Sequence, residues 1–175
     1  GSNLKSIYKF SKKKSSNFDL KLVVSNKKNA KGVLFAKKNK IKVKLVNNKK
    51  KNEAERDILF CLRKNNIRFV CLAGFMKILS NNFIKKFKNK IINIHPSLLP
   101  KYKGLNTHRR AIENKEKFSG CTVHFVTDKL DSGKIIMQKK VKVFKSDTPK
   151  KLAKRILLEE NKLYPKAILK IISKI

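Results

Sequence analysis

Two short, nearly unbroken apolar runs, "IRFVCLAG" (67–74) and "IINIH" (91–95), limit this chain more than anything else in it. A strand with apolar side chains on both faces must be covered on both faces. That is the condition of a parallel sheet between layers of helices. The rest of the sequence fits that arrangement. Strands are predicted at 19–26, 41–46, 121–127 and 134–143, and helices at 30–40, 52–66, 75–90, 107–115 and 146–172. Ile58, Leu59 and Leu62 share one face of the 52–66 helix, and Leu152, Ile156 and Leu163 share one face of the last. Ser146 or Asp147 reads as the cap of that helix, and Pro165 is expected to kink or divide it. The reading is an α/β fold, one domain over 1–175 with a mostly parallel sheet flanked by helices.

Open sheets of this kind bind ligands beyond the carboxyl ends of their strands. "IINIH" ends in His95, and Pro96 turns the chain there. Asn93 and His95 are two residues apart, so alternation puts them on one side of the strand. One is an amide donor and the other a titratable group. A strand-end histidine serves equally as a satisfied structural residue, so a partner is needed. Asp131, in "TDKLDSGKII" (127–136), is the candidate: a carboxylate beside an imidazole orients it and favours its charged form. An Asp two residues before a Gly is also an ordinary turn former. His95, His108 and His124 lie thirteen and sixteen residues apart, unlike the short ligand pairs of zinc sites, so no metal is expected. Cys71 and Cys121 lie in apolar strands, where thiols are inert. There is no P-loop or dinucleotide fingerprint. "GSNLKSI" (1–7) reads as a helix start whose free N–H groups suit a phosphate, or as an ordinary cap.

Forty-six Lys+Arg against eleven Asp+Glu give a formal charge of +35. Such a charge attracts polyanions. The lysines are spread rather than gathered in an arm, and aromatic residues do not interleave with them. A solvated basic surface is therefore expected, not a specific nucleic-acid site. Three cysteines without CxxC spacing suit a reducing compartment and a cytoplasmic location. No apolar run reaches the length of a membrane span, and no signal peptide is visible.

"GFMKILS", "INIHPSLLPKYKGLNTHRRAIEN" and "GCTVHFVTDKLDSGKII" together resemble the formyltetrahydrofolate-dependent formyltransferases, and among them the phosphoribosylglycinamide formyltransferases. The likeness runs from "GSNL" to "EENKLYP". It implies a Rossmann-like formyltransferase fold and transfer of a formyl group from 10-formyltetrahydrofolate to the amine of glycinamide ribonucleotide, a step of purine synthesis. A methionyl-tRNA formyltransferase or a formyltetrahydrofolate hydrolase is the alternative. By resemblance, Asn93, His95 and Asp131 are catalytic. Met76, Lys77, Ile78, Leu79, Thr127 and Asp128 line the folate site together with Asn93 and Asp131. Gly1, Ser2, Asn3, Leu4 and Lys5 hold the substrate phosphate, and Glu160 lies near its ribose. A folate-contacting Arg of the family falls near Lys51 or Asn52. The resemblance implies small-molecule partners, no metal, no membrane, and a monomer or homodimer. The family carries a strand ahead of "GSNL" that is missing here, so the domain is expected to be truncated at its N-terminus.

Overall fold

The computed structural model describes residues 1–47 and 51–173. Helices and strands alternate through most of the chain: α1 (Ser2–Ser11), β1 (Leu22–Ser25), α2 (Lys31–Lys38), β2 (Lys42–Leu45), α3 (Lys51–Lys64), β3 (Val70–Leu72), α4 (Asn81–Lys86), β4 (Ile91–His95) and α5 (Thr107–Glu113). A hairpin of β5 (Phe118–Phe125) and β6 (Ile135–Lys142) follows, then the long α6 (Pro149–Ile172). β1 and β2 pair in parallel as one sheet; β3, β4, β5 and β6 form a second in that order. β3–β4 is parallel, whereas β4–β5 and β5–β6 are antiparallel. The β5–β6 loop is too short for a crossover helix, so that pair can only be antiparallel.

β4 lies between β3 and β5, and Ile91, Ile92 and Ile94 are almost wholly buried. Burial of such side chains contributes about 1.5–3 kcal/mol each. Their apolar continuity in the sequence thus has its expected cause, coverage on both faces. Leu152, Ile156 and Leu163 of α6 join Ile92, Ile94 and Val123 in the same core. The Tyr164 hydroxyl donates to the carbonyl of Leu72 (2.7 Å), tying α6 to β3. On α3, Leu59 and Leu62 are buried and Ile58 half-buried.

Three expectations change. The helix expected over 75–90 is confined to Asn81–Lys86, and residues 75–80 form a loop. Gly74 turns the chain at φ +65°, and Ser80 caps α4 by accepting from the Phe83 N–H. Buried Glu55 of α3 holds that cap in place by accepting from both the N–H and the hydroxyl of Ser80. The cap of α6 is Thr148, whose Oγ1 accepts from the Lys151 N–H (3.2 Å). Asp147 is engaged elsewhere, by the Arg155 guanidinium and the Phe144 N–H. Finally, α6 runs through Pro165 undivided. Proline lacks the N–H that would bond the carbonyl of Asn161. The Ser6 hydroxyl of α1 donates to that carbonyl instead.

Ser6→Ala is therefore expected to destabilise the fold by about 1–3 kcal/mol, the cost of orphaning a part-buried acceptor. Urea denaturation measures it. In a Pro165→Ala background the backbone N–H returns, and the same substitution is expected to cost less. Equal losses in both backgrounds would show that Ser6 does not serve this carbonyl.

Candidate active site

Asn93 and His95 project from the carboxyl end of β4. The pairing with β5 sets Asn93 opposite His124 and His95 opposite Thr122. The β5–β6 register shifts between Val123 and His124, a bulge of the kind that re-aims side chains beside sites. The β5–β6 loop then folds back over β4. Gly133 permits this: a Cβ there would lie 1.8 Å from the Phe125 carbonyl oxygen, so only glycine fits. Asp131, at φ +44°, is carried over the strand end by that loop. The expected amide, imidazole and carboxylate thus come together.

The distances define the cluster. Asp131 Oδ2 lies 3.3 Å from His95 Nδ1 and accepts the Gly104 N–H at 2.9 Å. Its side chain and that of His95 are nearly fully buried. His95 Nε2 lies 2.9 Å from the carbonyl oxygen of Tyr102, which can only accept, so Nε2–H donates. The ring is held between an acceptor at each nitrogen. His124 Nδ1 donates to the Phe125 carbonyl (2.8 Å), and its Nε2 lies 3.4 Å from Asn93 Nδ2 and 3.6 Å from Asp131 Oδ1. Burial holds His124 below the ordinary histidine pKa, against the opposing pull of the Phe125 carbonyl and Asp131. A neutral His124 with its proton on Nδ1 presents a bare Nε2, which accepts one N–H of Asn93. That contact fixes which way the Asn93 amide points and leaves its second N–H free.

His124 was legible in the sequence only as a weak metal candidate. Its signal was present in "CTVHFV", where alternation with Thr122 places it on an inward face, but its pairing with Asn93 depends on register. The Tyr102 carbonyl and Gly104 N–H carry no sequence signal, being backbone groups of a loop. His108 on α5 is also near: burial first, and then the charge of His95, lower its pKa, and its Nδ1 is buried without a partner.

The other expected residues lie as follows. Met76, Lys77 and Ile78 are exposed on the loop after β3, whereas the Leu79 side chain is buried against Leu59 and Phe83, leaving only its backbone to face a ligand. Thr127 Oγ1 donates to the Lys129 carbonyl, and Asp128 follows it on the loop after β5. Gly1 caps α1, so Ser2, Asn3, Leu4 and Lys5 form its first turn. A Cβ on Gly1 would stand 2.8 Å from Gly32 N, so the start of α1 packs directly on α2. The Lys5 ammonium sits over the Phe35 ring. Asn3 Nδ2 donates to Glu160 Oε2 (2.9 Å), while Asn3 Oδ1 is buried without a partner. Lys51 and Asn52 are exposed at the start of α3.

Burial holds Glu160 above the usual carboxyl value of 4.5, with the Asn3 amide pulling it down. A carboxyl with a raised folded pKa stabilises the fold below 4.5. That contribution is lost as pH rises through the folded value. Glu160→Gln is expected to remove this downward slope from the urea midpoint measured between about pH 4 and pH 7. An unchanged slope would contradict the assignment.

A formyl transferase family model matches residues 1–168. The human trifunctional purine biosynthetic protein adenosine-3 is 42% identical over 171 residues, 96% of this chain and 17% of that protein. The phosphoribosylglycinamide formyltransferase of Escherichia coli K12 is 50% identical over 99 residues, 57% of this chain and 47% of its own. This chain therefore spans a minor part of either relative. Among solved structures, phosphoribosylglycinamide formyltransferase from Anaplasma phagocytophilum aligns with a TM-score of 0.89 at 41% identity, covering 96% of this chain and 79% of that one. The enzyme from Bacillus halodurans aligns with a TM-score of 0.94 at 32% identity, covering 99% and 91%. With the family match spanning nearly all of its length, this chain belongs to the formyl transferase family.

Proposed function

We propose that this chain, as a single formyltransferase domain over 1–175, transfers a formyl group from 10-formyltetrahydrofolate to the amine of glycinamide ribonucleotide. The observation that carries the reading is the convergence of Asn93, His95 and Asp131 at the end of β4. The folate supplies an activated formyl carbon and a nitrogen leaving group. Asn93 donates its free N–H to the formyl oxygen as negative charge develops there. His95 exchanges its Tyr102 contact for the reacting groups and moves a proton between the entering and leaving nitrogens. Asp131, itself held by the Gly104 N–H, keeps the imidazole in place.

The binding surfaces fit those ligands. Exposed Met76, Ile78, Leu105 and Leu130, on loops after β3, β4 and β5, offer apolar cover for a flat heterocycle. The first-turn N–H groups of α1 suit a phosphate. The unpartnered Asn3 Oδ1 beside Glu160 suits a sugar hydroxyl. No helix among the described residues is long and apolar enough to cross a membrane. Cys61, Cys71 and Cys121 are unpaired, and burial pushes Cys71 and Cys121 up to about 12, consistent with inert thiols of a reducing cytoplasm. The test is an assay on purified protein for loss of formyltetrahydrofolate that depends on glycinamide ribonucleotide. Consumption that continues unchanged without the ribonucleotide would instead identify a hydrolase.

A further inference from the structure

A concavity of about 480 Å³ lies at the amino ends of β1 and β2, where α1, α2 and α3 finish. It shares no residue with the site described above. Lys12, Lys21, Lys40, Lys42 and Lys64 line it, and among the described residues no carboxylate does. Five like charges around one hollow repel one another unless an anion lies between them.

The ordinary reason for lysine at a helix end is compensation of the helix dipole and its free carbonyls. At the ends of α2 and α3 that work is done by amides. Asn39 Nδ2 donates to the Phe35 carbonyl (2.9 Å) at the end of α2. Asn65 Nδ2 donates to the Cys61 carbonyl (2.8 Å) at the end of α3. The backbone N–H groups of Ile41 and Ile67 reach back to Ala36 and Leu62. The carbonyls at the ends of α2 and α3 therefore do not depend on the ammonium groups of Lys40 and Lys64. Two others are held in place: Lys42 Nζ donates to Asn65 Oδ1 (3.1 Å), and Lys12 Nζ sits 5.5 Å from the Tyr8 ring centre. Lys40 stands at φ +55°, the left-handed turn that closes α2.

We propose that this concavity binds a small anion carrying two or more phosphate groups. Its volume falls in the range of small-ligand sites. A set of ammonium groups at several points of the rim matches an extended polyanion better than a single phosphate. The source is either an inorganic oligophosphate or the phosphate chain of a nucleotide, for which Tyr8, Leu20 and Ile41 would supply an apolar floor.

The test is calorimetric titration of the whole chain with sodium tripolyphosphate and, separately, with ATP, at about 0.1 M salt. Saturable one-to-one binding is expected. It should weaken about tenfold or more in Lys12→Gln/Lys40→Gln/Lys42→Gln, with formyl transfer unchanged. A control variant, Lys150→Gln/Lys151→Gln/Lys154→Gln, removes the same charge from the exposed start of α6 and should bind as the parent does. Tighter binding of ATP than of tripolyphosphate assigns the nucleotide; equal or weaker binding assigns the inorganic anion. Equal losses in the two variants, or binding that the first variant leaves intact, would overturn the proposal. So would single-stranded DNA that binds more tightly than either anion in proportion to its length, the mark of a diffuse basic surface.

Discussion

Replacing His95 by alanine is expected to lower kcat for formyl transfer by about 10²- to 10⁴-fold, the range of a positioned acid or base. KM should change far less, because the ring meets the reacting nitrogens during proton movement rather than in substrate binding. The expectation rests on how the ring is held. It is buried, with Tyr102 oxygen 2.9 Å from Nε2 and Asp131 Oδ2 3.3 Å from Nδ1. Water competes poorly for either nitrogen. Truncation removes these contacts and leaves the Tyr102 carbonyl unpaired, so folding must be checked beside activity. His95→Gln provides the second variant: its amide can still donate to Tyr102 but cannot cycle a proton near neutral pH. Both variants should be equally slow, with circular dichroism of the folded state. Undiminished turnover by a folded His95→Ala protein would remove the imidazole from the chemistry.

Asn93→Ala is expected to lower kcat by about 10²- to 10³-fold, the usual cost of losing one oxyanion donor. Asn93 is half-buried between β3 and β5, opposite Leu72 and His124. Its amide is committed in orientation by neutral His124, which accepts one of its two N–H groups. Asn93→Asp keeps the shape and replaces the donor by an acceptor. It should be at least as slow as the alanine variant, because a carboxylate there would face the charge it must stabilise. A folded Asn93→Ala protein whose kcat falls less than about tenfold would place the donor elsewhere.

These residues were legible to different degrees. Asn93 and His95 stand on a strand whose end is marked by Pro96, and period-two alternation alone puts them together. Asp131 was nameable as a turn residue, but its arrival above β4 depends on Gly133 and the β5–β6 hairpin. His124 is visible in the sequence, but its spacing speaks only against a metal; its pairing with Asn93 follows from the β4–β5 register. Helix ends show the same division. Thr148 displaced Asp147 as a cap because Arg155, eight residues along, claims the carboxylate. The loop at 75–80 broke a helical pattern because Glu55, from another helix, holds Ser80.

From its residues alone, the chain prescribes alternating strands and helices, a buried central strand ending in a usable histidine, and a surface of lysine. Those follow from side-chain periodicity and proline geometry, which are local. What only the assembled molecule decides is which atoms meet: Ser6 with the carbonyl that Pro165 abandons, Asn93 with His124, and Asp131 with His95 and Gly104. Each of these pairs joins segments brought together by sheet register or helix packing. A hydrogen bond needs its partners within about 3 Å, and local preference along a chain does not carry distance between its remote parts.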